Sequence, residues 1–308
     1  MKVGFIGLGT MGASMALHVR SAGHELVVND LRCEAAAAHL EAGAVWADSA
    51  RKVAEACDLV FTSLPGPREV ESVALAEDGL LAGMRRGTAW FDLSTNSPTL
   101  VRRLHECFAA KGIAMLDAPV SGGPAGAKSG KLALWVSGDR AVFDRHKAVL
   151  DAIGDQAMYV GPIGAGTVAK LVHNCAGFAI LTALAEVFTL GVKAGVEPLT
   201  LWEAVRHGAF GRRRTFDRLA EHFLRGVFEP PAFALTLAHK DVTLATELAR
   251  ELGVPMRLAT LVHGELTEAL NRGWGERDSR VFMLLQEERA GVTIAEPAEK
   301  IKEVLERG

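Results

Sequence analysis

Three features of the sequence predict its fold class. A glycine-rich turn, Gly7-Leu8-Gly9-Thr10-Met11-Gly12, follows the apolar run Val3-Gly4-Phe5-Ile6. Strand-like and helix-like segments alternate through the first half, and past residue 161 every long segment repeats with helical period. Together these predict an α/β chain: an N-terminal Rossmann-type doubly wound sheet followed by an all-α C-terminal domain joined by a long interdomain helix. The expected boundaries are 1–162 for the sheet domain, 163–292 for the helical domain and 293–308 for a C-terminal tail.

The first strand meets its helix, about Met11 to Ala22, at the glycine turn, and each glycine has a separate task. Gly7 lets the chain turn tightly, Gly9 leaves room for backbone N–H groups to approach a pyrophosphate, and Gly12 lets the helix lie close on the strand. The helix start offers unpaired N–H groups and partial positive charge to an anion. A second strand, Leu26-Val27-Val28, follows the Gly23-His24 break and leads to Asp30. An acid about 20 residues past the glycines accepts the ribose hydroxyls of adenosine and repels a 2′-phosphate, which points to NAD. Arg32, two residues on, keeps NADP open. The plainer readings are an ordinary βα turn for the glycines and a solvated strand-end charge for Asp30.

Ala35 to Leu40 reads as helix and Ala44-Val45 as a short strand. Leu59 to Leu64 is a buried strand halted by Pro65-Gly66-Pro67, and Ala89 to Leu93, Ala114 to Ala118 and Leu132 to Val136 are further strands. Ligands of open α/β sheets bind at the carboxyl edge. Leu64-Pro65, Ser94-Thr95-Asn96 and Val120-Ser121-Gly122-Gly123 should therefore converge near the nicotinamide end of a cofactor. Composition changes at Gly161 to Gly166. The helix expected from about Thr167 to Ala194, roughly 42 Å long at 1.5 Å per residue, is apolar on more than one face and should lie buried between domains or subunits. Further helices are expected over Pro198 to Arg206, Thr215 to Arg225, Ala234 to Leu252, Met256 to Arg272 and Val281 to Gly291, with a short charged helix in Pro297 to Gly308.

With 308 residues, 49% of them hydrophobic and 23% charged, the chain has length for two domains and a substantial core. A formal charge of -3 leaves no basic excess for a phosphate backbone, which argues against nucleic acid as the main partner. The most apolar stretch, Cys175 to Ala185, falls short of the ~18 residues of a membrane span, so no membrane partner is expected. Met1-Lys2 leads straight into the first strand without an apolar leader, and a cytoplasmic location is expected. Cys33, Cys57, Cys107 and Cys175 lack CxxC spacing and read as buried small apolar residues rather than ligands or disulfide partners.

Three sets of residues carry candidate chemistry. Lys170 and Asn174 stand four apart and share a helix face. A place near a helix start and partial burial both lower an ammonium pKa, which suits a proton donor near neutral pH. Asn174 would fix that lysine or bind a substrate hydroxyl; a solvated lysine and a capping or core amide are the alternative. In Asp117-Ala118-Pro119-Val120-Ser121-Gly122-Gly123-Pro124 the two glycines expose consecutive N–H groups and Ser121 adds a hydroxyl. That makes a cradle for a carboxylate, with a plain Gly-Pro loop as the alternative. In His239-Lys240-Asp241, Lys240 can reach an anion of cofactor or substrate, unless it forms only a solvated pair with Asp241. No clustering of His and Cys suggests a metal.

In chain order, Gly7 to Gly12, Asp92-Leu93-Ser94-Thr95-Asn96-Ser97-Pro98, Asp117 to Gly123, Gly164-Ala165-Gly166 with Lys170 and Asn174, and Lys240-Asp241 resemble the 3-hydroxyisobutyrate dehydrogenase family of β-hydroxyacid dehydrogenases. The likeness spans residues 1 to about 290. It implies an NAD(P)-dependent oxidoreductase acting on a CH-OH group, with Lys170 as catalytic general acid/base. Ser121, Gly122 and Gly123 would hold the carboxylate of a small substrate and Asn174 would contact that substrate. Thr95, Leu64, Pro65 and Lys240 would contact the cofactor beside Gly7, Leu8, Gly9, Thr10, Met11, Gly12 and Asp30. NAD-preferring members carry an acid at the place of Asp30, whereas many NADP-preferring relatives carry an Asn-Arg-Thr-like stretch where this chain has Asp30-Leu31-Arg32.

Two positions depart from the family pattern. His173 stands where an Asn is common, and Arg212-Arg213-Arg214 occupies a region often small and polar. Those three cations favour a second anionic group on the substrate, unless they form a basic surface turn. The expected activity is interconversion of a small β-hydroxy acid and its semialdehyde or keto acid. An imine reductase of the same architecture is the rival enzyme, although Lys170 counts against it. A non-catalytic dinucleotide sensor or scaffold is the rival outside enzymes, marked by cofactor binding without turnover. A homodimer or homotetramer is expected, because a small helical domain with so long an apolar helix needs a partner surface.

Overall fold

Nine strands form one sheet in the computed structural model: β1 (Lys2–Ile6), β2 (Glu25–Asn29), β3 (Val45–Trp46), β4 (Leu59–Thr62), β5 (Ala89–Asp92), β6 (Ala114–Asp117), β7 (Val120–Ser121), β8 (Ala133–Ser137) and β9 (Gln156–Gly161). The structure describes residues 1–196, 201, 204, 205, 207–212, 220–232, 234–236, 238, 239, 242, 243, 246, 250, 253–291, 293 and 295–307. It divides into two compact units, Met1–Ala176 and Gly177–Gly308.

Six strands run parallel in the order β3-β2-β1-β4-β5-β6, the Rossmann arrangement in which strand order reverses between β1 and β4. β7 continues β6 past the carboxyl edge. β8 lies antiparallel to both and parallel to β9. Between the strands come α1 (Gly12–Ser21), α2 (Ala37–Glu41), α3 (Ala50–Ala56), α4 (Pro67–Leu75), α5 (Leu80–Gly83), α6 (Pro98–Ala109), α7 (Gly123–Ser129) and α8 (Arg140–Ile153).

The central strands β1, β4, β5 and β6 are buried on both faces because they are apolar at consecutive positions, as parallel sheets require. Val3, Phe5, Phe61 and Phe91 face one layer with Met15 and Val19 of α1 and Leu150 of α8. Ile6, Val60, Trp90 and Met115 face the other with Val53 of α3 and Leu104 and Phe108 of α6. Aromatic rings lock each layer: Phe61 lies 5.6 Å from Phe91, and Trp90 lies 4.8 Å from Phe108. One register row departs from this apolar pattern. Thr62, Asp92, Asp117 and Ser137 are successive partners across β4, β5, β6 and β8, and all four are buried.

α9 (Ala165–Lys193) begins two residues earlier than expected and ends one residue sooner. Within the second unit, α10 (Arg257–Asn271), a 3-10 turn over Ser279–Met283, α11 (Leu284–Ala290) and α12 (Ala298–Arg307) follow. Its core gathers Phe228, Leu235, Leu266, Ala269, Val281 and Leu285. Asp278 ties the unit together through Arg280 Nε at 2.7 Å, Arg280 Nη2 at 3.0 Å and Ala232 N at 3.0 Å.

Several expectations need correction. The helix expected to continue through Arg225 does not: residues 220–226 form a 3-10 step and turns, because Gly226 takes φ +62° and the N–H of Val227 reaches back to the His222 carbonyl at 3.2 Å. Residues 215–219 lie outside the described residues, as do parts of the segments expected over 198–206 and 234–252. β3 is displaced one residue from Ala44-Val45, and β9 is a strand beyond those expected. The Asp117–Pro124 segment is not a plain loop, since α7 starts at Gly123 with Pro124 in its first turn. Cys33 is exposed, in a surface 3-10 turn after β2, rather than buried; Cys57 is buried and Cys107 half-buried, and all three are free thiols.

Candidate functional site

At the reversal point between β1 and β4 the glycine turn passes into α1, and the three glycines answer to different neighbours. Gly7 has φ +93°, and a Cβ there would stand 2.3 Å from the Ser63 carbonyl oxygen; a Cβ at Gly12 would stand 1.9 Å from the Gly7 carbonyl oxygen. Those two are demanded by the packing of the chain on itself. A Cβ at Gly9 meets nothing within 4 Å, so the room there is an opening rather than a contact. No side chain caps the start of α1, which leaves first-turn N–H groups available to an anion, as such a site requires. The residues present fit the pyrophosphate of a dinucleotide.

The turn lines a cavity of about 690 Å³ together with Asp30, Arg32, Leu64, Pro65 and Arg68. Asp30 Oδ2 accepts from Leu8 N at 2.7 Å and Oδ1 from Arg32 N at 3.0 Å. Each oxygen keeps a lone pair for a ribose hydroxyl. Leu8 contributes only this backbone donor, because its side chain is in the core; Thr10 is exposed and Met11 half-buried at the cavity wall. Leu31, Arg68 and Glu69 also line the cavity, although no motif in the sequence gives any of them a role at the site. Their signal was position alone: each follows closely on the end of β2 or β4.

The ends of β4 and β5 are tied by a buried polar network. Asp92 Oδ1 accepts from Thr62 Oγ1 at 2.9 Å and Ser94 N at 3.1 Å, and Oδ2 accepts from Asn96 Nδ2 at 2.9 Å. Burial pushes the Asp92 carboxyl pKa up, against these hydrogen bonds from Ser94, Asn96 and Thr62 that pull it down. Ser94 Oγ then accepts from Leu64 N at 2.9 Å. The loops carrying Leu64-Pro65 and Thr95 are thereby joined, and Thr95 is left exposed between buried Ser94 and Asn96.

A second network sets the start of α9. Asp117 Oδ1 accepts from Gly164 N at 2.8 Å and from Ser137 Oγ; Oδ2 accepts from Thr167 N at 2.7 Å and Thr167 Oγ1 at 2.8 Å. Lys170 lies one turn beyond Thr167 and is half-buried, and desolvation lowers its ammonium pKa from the ordinary lysine value. His173, one further turn along, hydrogen-bonds Ser121 Oγ through Nε2 at 3.2 Å and leans its ring on Trp135 at 5.2 Å. Ser121 and the Lys170 side of α9 are thus brought together, with Asn174 half-buried one turn past Lys170. Gly122 takes φ +133° and Gly123 φ +62°, and the space at a Gly123 Cβ is open.

Lys240, Asp241, Arg213 and Arg214 lie outside the described residues. His239 is described, bonded through Nε2 to Thr267 Oγ1 at 2.9 Å within the second unit. Among the described residues no three His, Cys, Asp or Glu side chains gather to hold a metal ion, and no helix is long and apolar enough to cross a membrane.

A doubly wound sheet with this crevice defines the class as an NAD(P)-binding oxidoreductase. Residues 2–161 match the family described as the NAD binding domain of 6-phosphogluconate dehydrogenase, and residues 164–285 match that described as NAD-binding of NADP-dependent 3-hydroxyisobutyrate dehydrogenase. The chain is 35% identical to 2-(hydroxymethyl)glutarate dehydrogenase of Eubacterium barkeri, over 96% of this chain and 98% of that one. It is 40% identical to 3-hydroxyisobutyrate dehydrogenase of Pseudomonas aeruginosa over 68% and 70% of the two chains. Among solved structures, 3-hydroxyisobutyrate dehydrogenase from Salmonella typhimurium aligns with a TM-score of 0.62 at 32% identity, covering 92% of this chain and 99% of the other. The chain belongs to the 3-hydroxyisobutyrate dehydrogenase family of β-hydroxyacid dehydrogenases.

Proposed function

We propose that this enzyme interconverts a small β-hydroxy acid and its semialdehyde or keto acid, with Lys170 as the general acid/base. The observation that carries the reading is the bond between Ser121 and His173, which sets the Ser121-Gly122-Gly123 segment beside the helix face of Lys170. A bound nicotinamide dinucleotide supplies or accepts the hydride. The Ser121 hydroxyl and the N–H groups of Gly122 and Gly123 hold the substrate carboxylate and so fix which carbon faces the ring. In the reducing direction Lys170 gives a proton to the developing alkoxide, and in the oxidising direction it takes the proton from the hydroxyl. Asn174 contacts the substrate.

Gly7, Leu8, Gly9, Thr10, Met11 and Gly12 receive the pyrophosphate side of the cofactor, while Leu64, Pro65, Thr95 and Lys240 contact its remainder. The Asp30 carboxylate, held by two backbone N–H groups, favours NAD over NADP. In this reading residues 1–162 bind the dinucleotide, 163–292 carry substrate and dimerisation surfaces, 293–308 form a tail, and the enzyme works in the cytosol as a homodimer or homotetramer.

The test is Lys170→Ala assayed with a panel of hydroxy acids and semialdehydes, following reduced nicotinamide by absorbance. Turnover should fall at least ~100-fold, the scale of losing a general acid/base, with cofactor affinity nearly unchanged. Near-normal turnover by Lys170→Ala removes the lysine from the mechanism, and cofactor binding by the unmutated protein without turnover on any compound removes the enzyme reading.

A further inference from the structure

Asp117 links both halves of the proposed substrate site without belonging to either. It closes β6, and the chain runs from it through Ala118-Pro119-Val120 to Ser121-Gly122-Gly123. Its buried carboxylate reaches across to the start of α9, 47 residues on at Gly164 and 50 residues on at Thr167. Four donors converge on its two oxygens: Ser137 Oγ, Gly164 N, Thr167 N and Thr167 Oγ1. Ser137 Oγ in turn accepts from Gly166 N at 3.0 Å.

The joint has little slack. A Cβ at Gly166 would lie 2.2 Å from the Trp135 carbonyl oxygen and 3.1 Å from Asp117 Oδ2, so the helix start is pressed against β8 and the carboxylate. Lys170 sits one turn beyond Thr167 on a helix that transmits any shift of its first turn as a rigid rod. Asp117 is 1% exposed and reaches a ligand through none of these contacts.

We infer that Asp117 is a positioning residue, a strut whose side chain sets the separation between the Lys170 ammonium and the Ser121-Gly122-Gly123 carboxylate cradle. This rests on the proposed role of Lys170. A misplacement of about 1 Å in such a pair can cost on the order of a hundredfold in rate. Asp117→Asn keeps the shape but swaps one acceptor for a donor against N–H groups that need acceptors, and Thr167→Val removes one donor alone.

The experiment is a double-mutant cycle with Lys170→Ala, run on the full-length protein with turnover expressed per folded molecule and cofactor affinity measured by titration. Asp117→Asn should lower kcat at least about tenfold, change KM less than kcat, and leave the cofactor dissociation constant within about twofold. Thr167→Val should show a smaller loss in the same direction, and it carries the cycle where Asp117→Asn does not fold. The double variant should be no slower than Lys170→Ala alone, because a strut for the lysine has nothing to act through once the lysine is gone. Wild-type kcat in Asp117→Asn or Thr167→Val overturns the inference, as does a double variant slower than Lys170→Ala by the full single-variant factor. A fully active Lys170→Ala instead overturns the reading of the lysine and this inference with it.

Discussion

The glycine turn allows a paired test in which two superficially equal substitutions do opposite things. At Gly12 an added Cβ would sit 1.9 Å from the Gly7 carbonyl oxygen and 3.3 Å from the Phe5 ring, so α1 must move off β1. Overpacking of this kind costs about 1–3 kcal/mol, and the backbone nature of the obstacle places Gly12→Ala at the upper end. At 2–4 °C per kcal/mol the melting temperature should fall by roughly 5–10 °C. At Gly9 the added Cβ touches nothing within 4 Å and no positive φ stands in its way. The fold should therefore be unharmed, or firmer by about 0.4–1 kcal/mol from the stiffer unfolded chain. Its methyl instead enters the space assigned to the pyrophosphate. Loss of one charge-assisted hydrogen bond, about 1.5–3 kcal/mol, raises the cofactor dissociation constant by roughly tenfold to a hundredfold. Thermal melts without ligand and titration with NADH separate the two effects. Unchanged NADH affinity in Gly9→Ala would refute the assignment of the opening, and an unchanged melting temperature in Gly12→Ala would refute the packing argument.

Three further outcomes follow from particular side chains. Asp30→Ala should raise NADPH use relative to NADH by removing the acid proposed to meet the ribose; a wild-type enzyme that already prefers NADPH contradicts the role given to Asp30. Because burial lowers the Lys170 pKa, its proton is lost below the ordinary lysine value of 10.5. The rate of carbonyl reduction should then decline with rising pH earlier than a free lysine would allow, and a profile flat to that pH argues against Lys170 as the donor. For Asp278, burial raises the carboxyl pKa, but hydrogen bonds from Arg280 and Ala232 lower it further, and the net folded value lies below the usual range. Its stabilisation is full above the unfolded pKa, about 3.9, and is lost as pH falls through the folded value. Asp278→Ala should cost the second unit about 3–5 kcal/mol at neutral pH by leaving Arg280 short of a partner, and should flatten that acid limb in denaturation curves; equal stability at pH 7 would refute the tie.

The parts of the fold legible in the sequence are those whose signal is local. β4 and β5 are buried at every position, and such runs read as strands without any tertiary knowledge. β9 was illegible because it is half-exposed and ends in Gly161. α7 is illegible for a different reason: Gly-Pro-Ala-Gly has poor helix propensity, and the helix exists because Gly122 and Gly130 supply the positive φ at its two ends. The glycine turn and Asp30 could be found because one βαβ unit contains their geometry. The tasks of Asp92 and Asp117 are not legible from their motifs, since their partners return from distant segments. A sharper signal was available in AWFD and AMLD: an acid ending a wholly apolar strand must find donors, or the burial is too costly.

That requirement explains why the polar row sits where it does. Thr62, Asp92, Asp117 and Ser137 cross the sheet at the carboxyl ends of the parallel strands β4, β5 and β6 and of the antiparallel β8. Apolar packing tolerates small sliding motions, since dispersion contacts are individually weak and non-directional, whereas a buried carboxylate loses heavily if even one donor departs. The row therefore converts a compliant sheet edge into a fixed platform. From it Asp92 holds Asn96 and the loop of Ser94, which binds Leu64 N, and Asp117 holds the first turn of α9. Hydride and proton transfer demand alignment to fractions of an ångström, and a loop of exposed residues such as Pro65 or Thr95 does not provide it unaided. The cost of burying two neighbouring carboxylates is thus placed at the one edge of the sheet where positional accuracy governs the proposed chemistry.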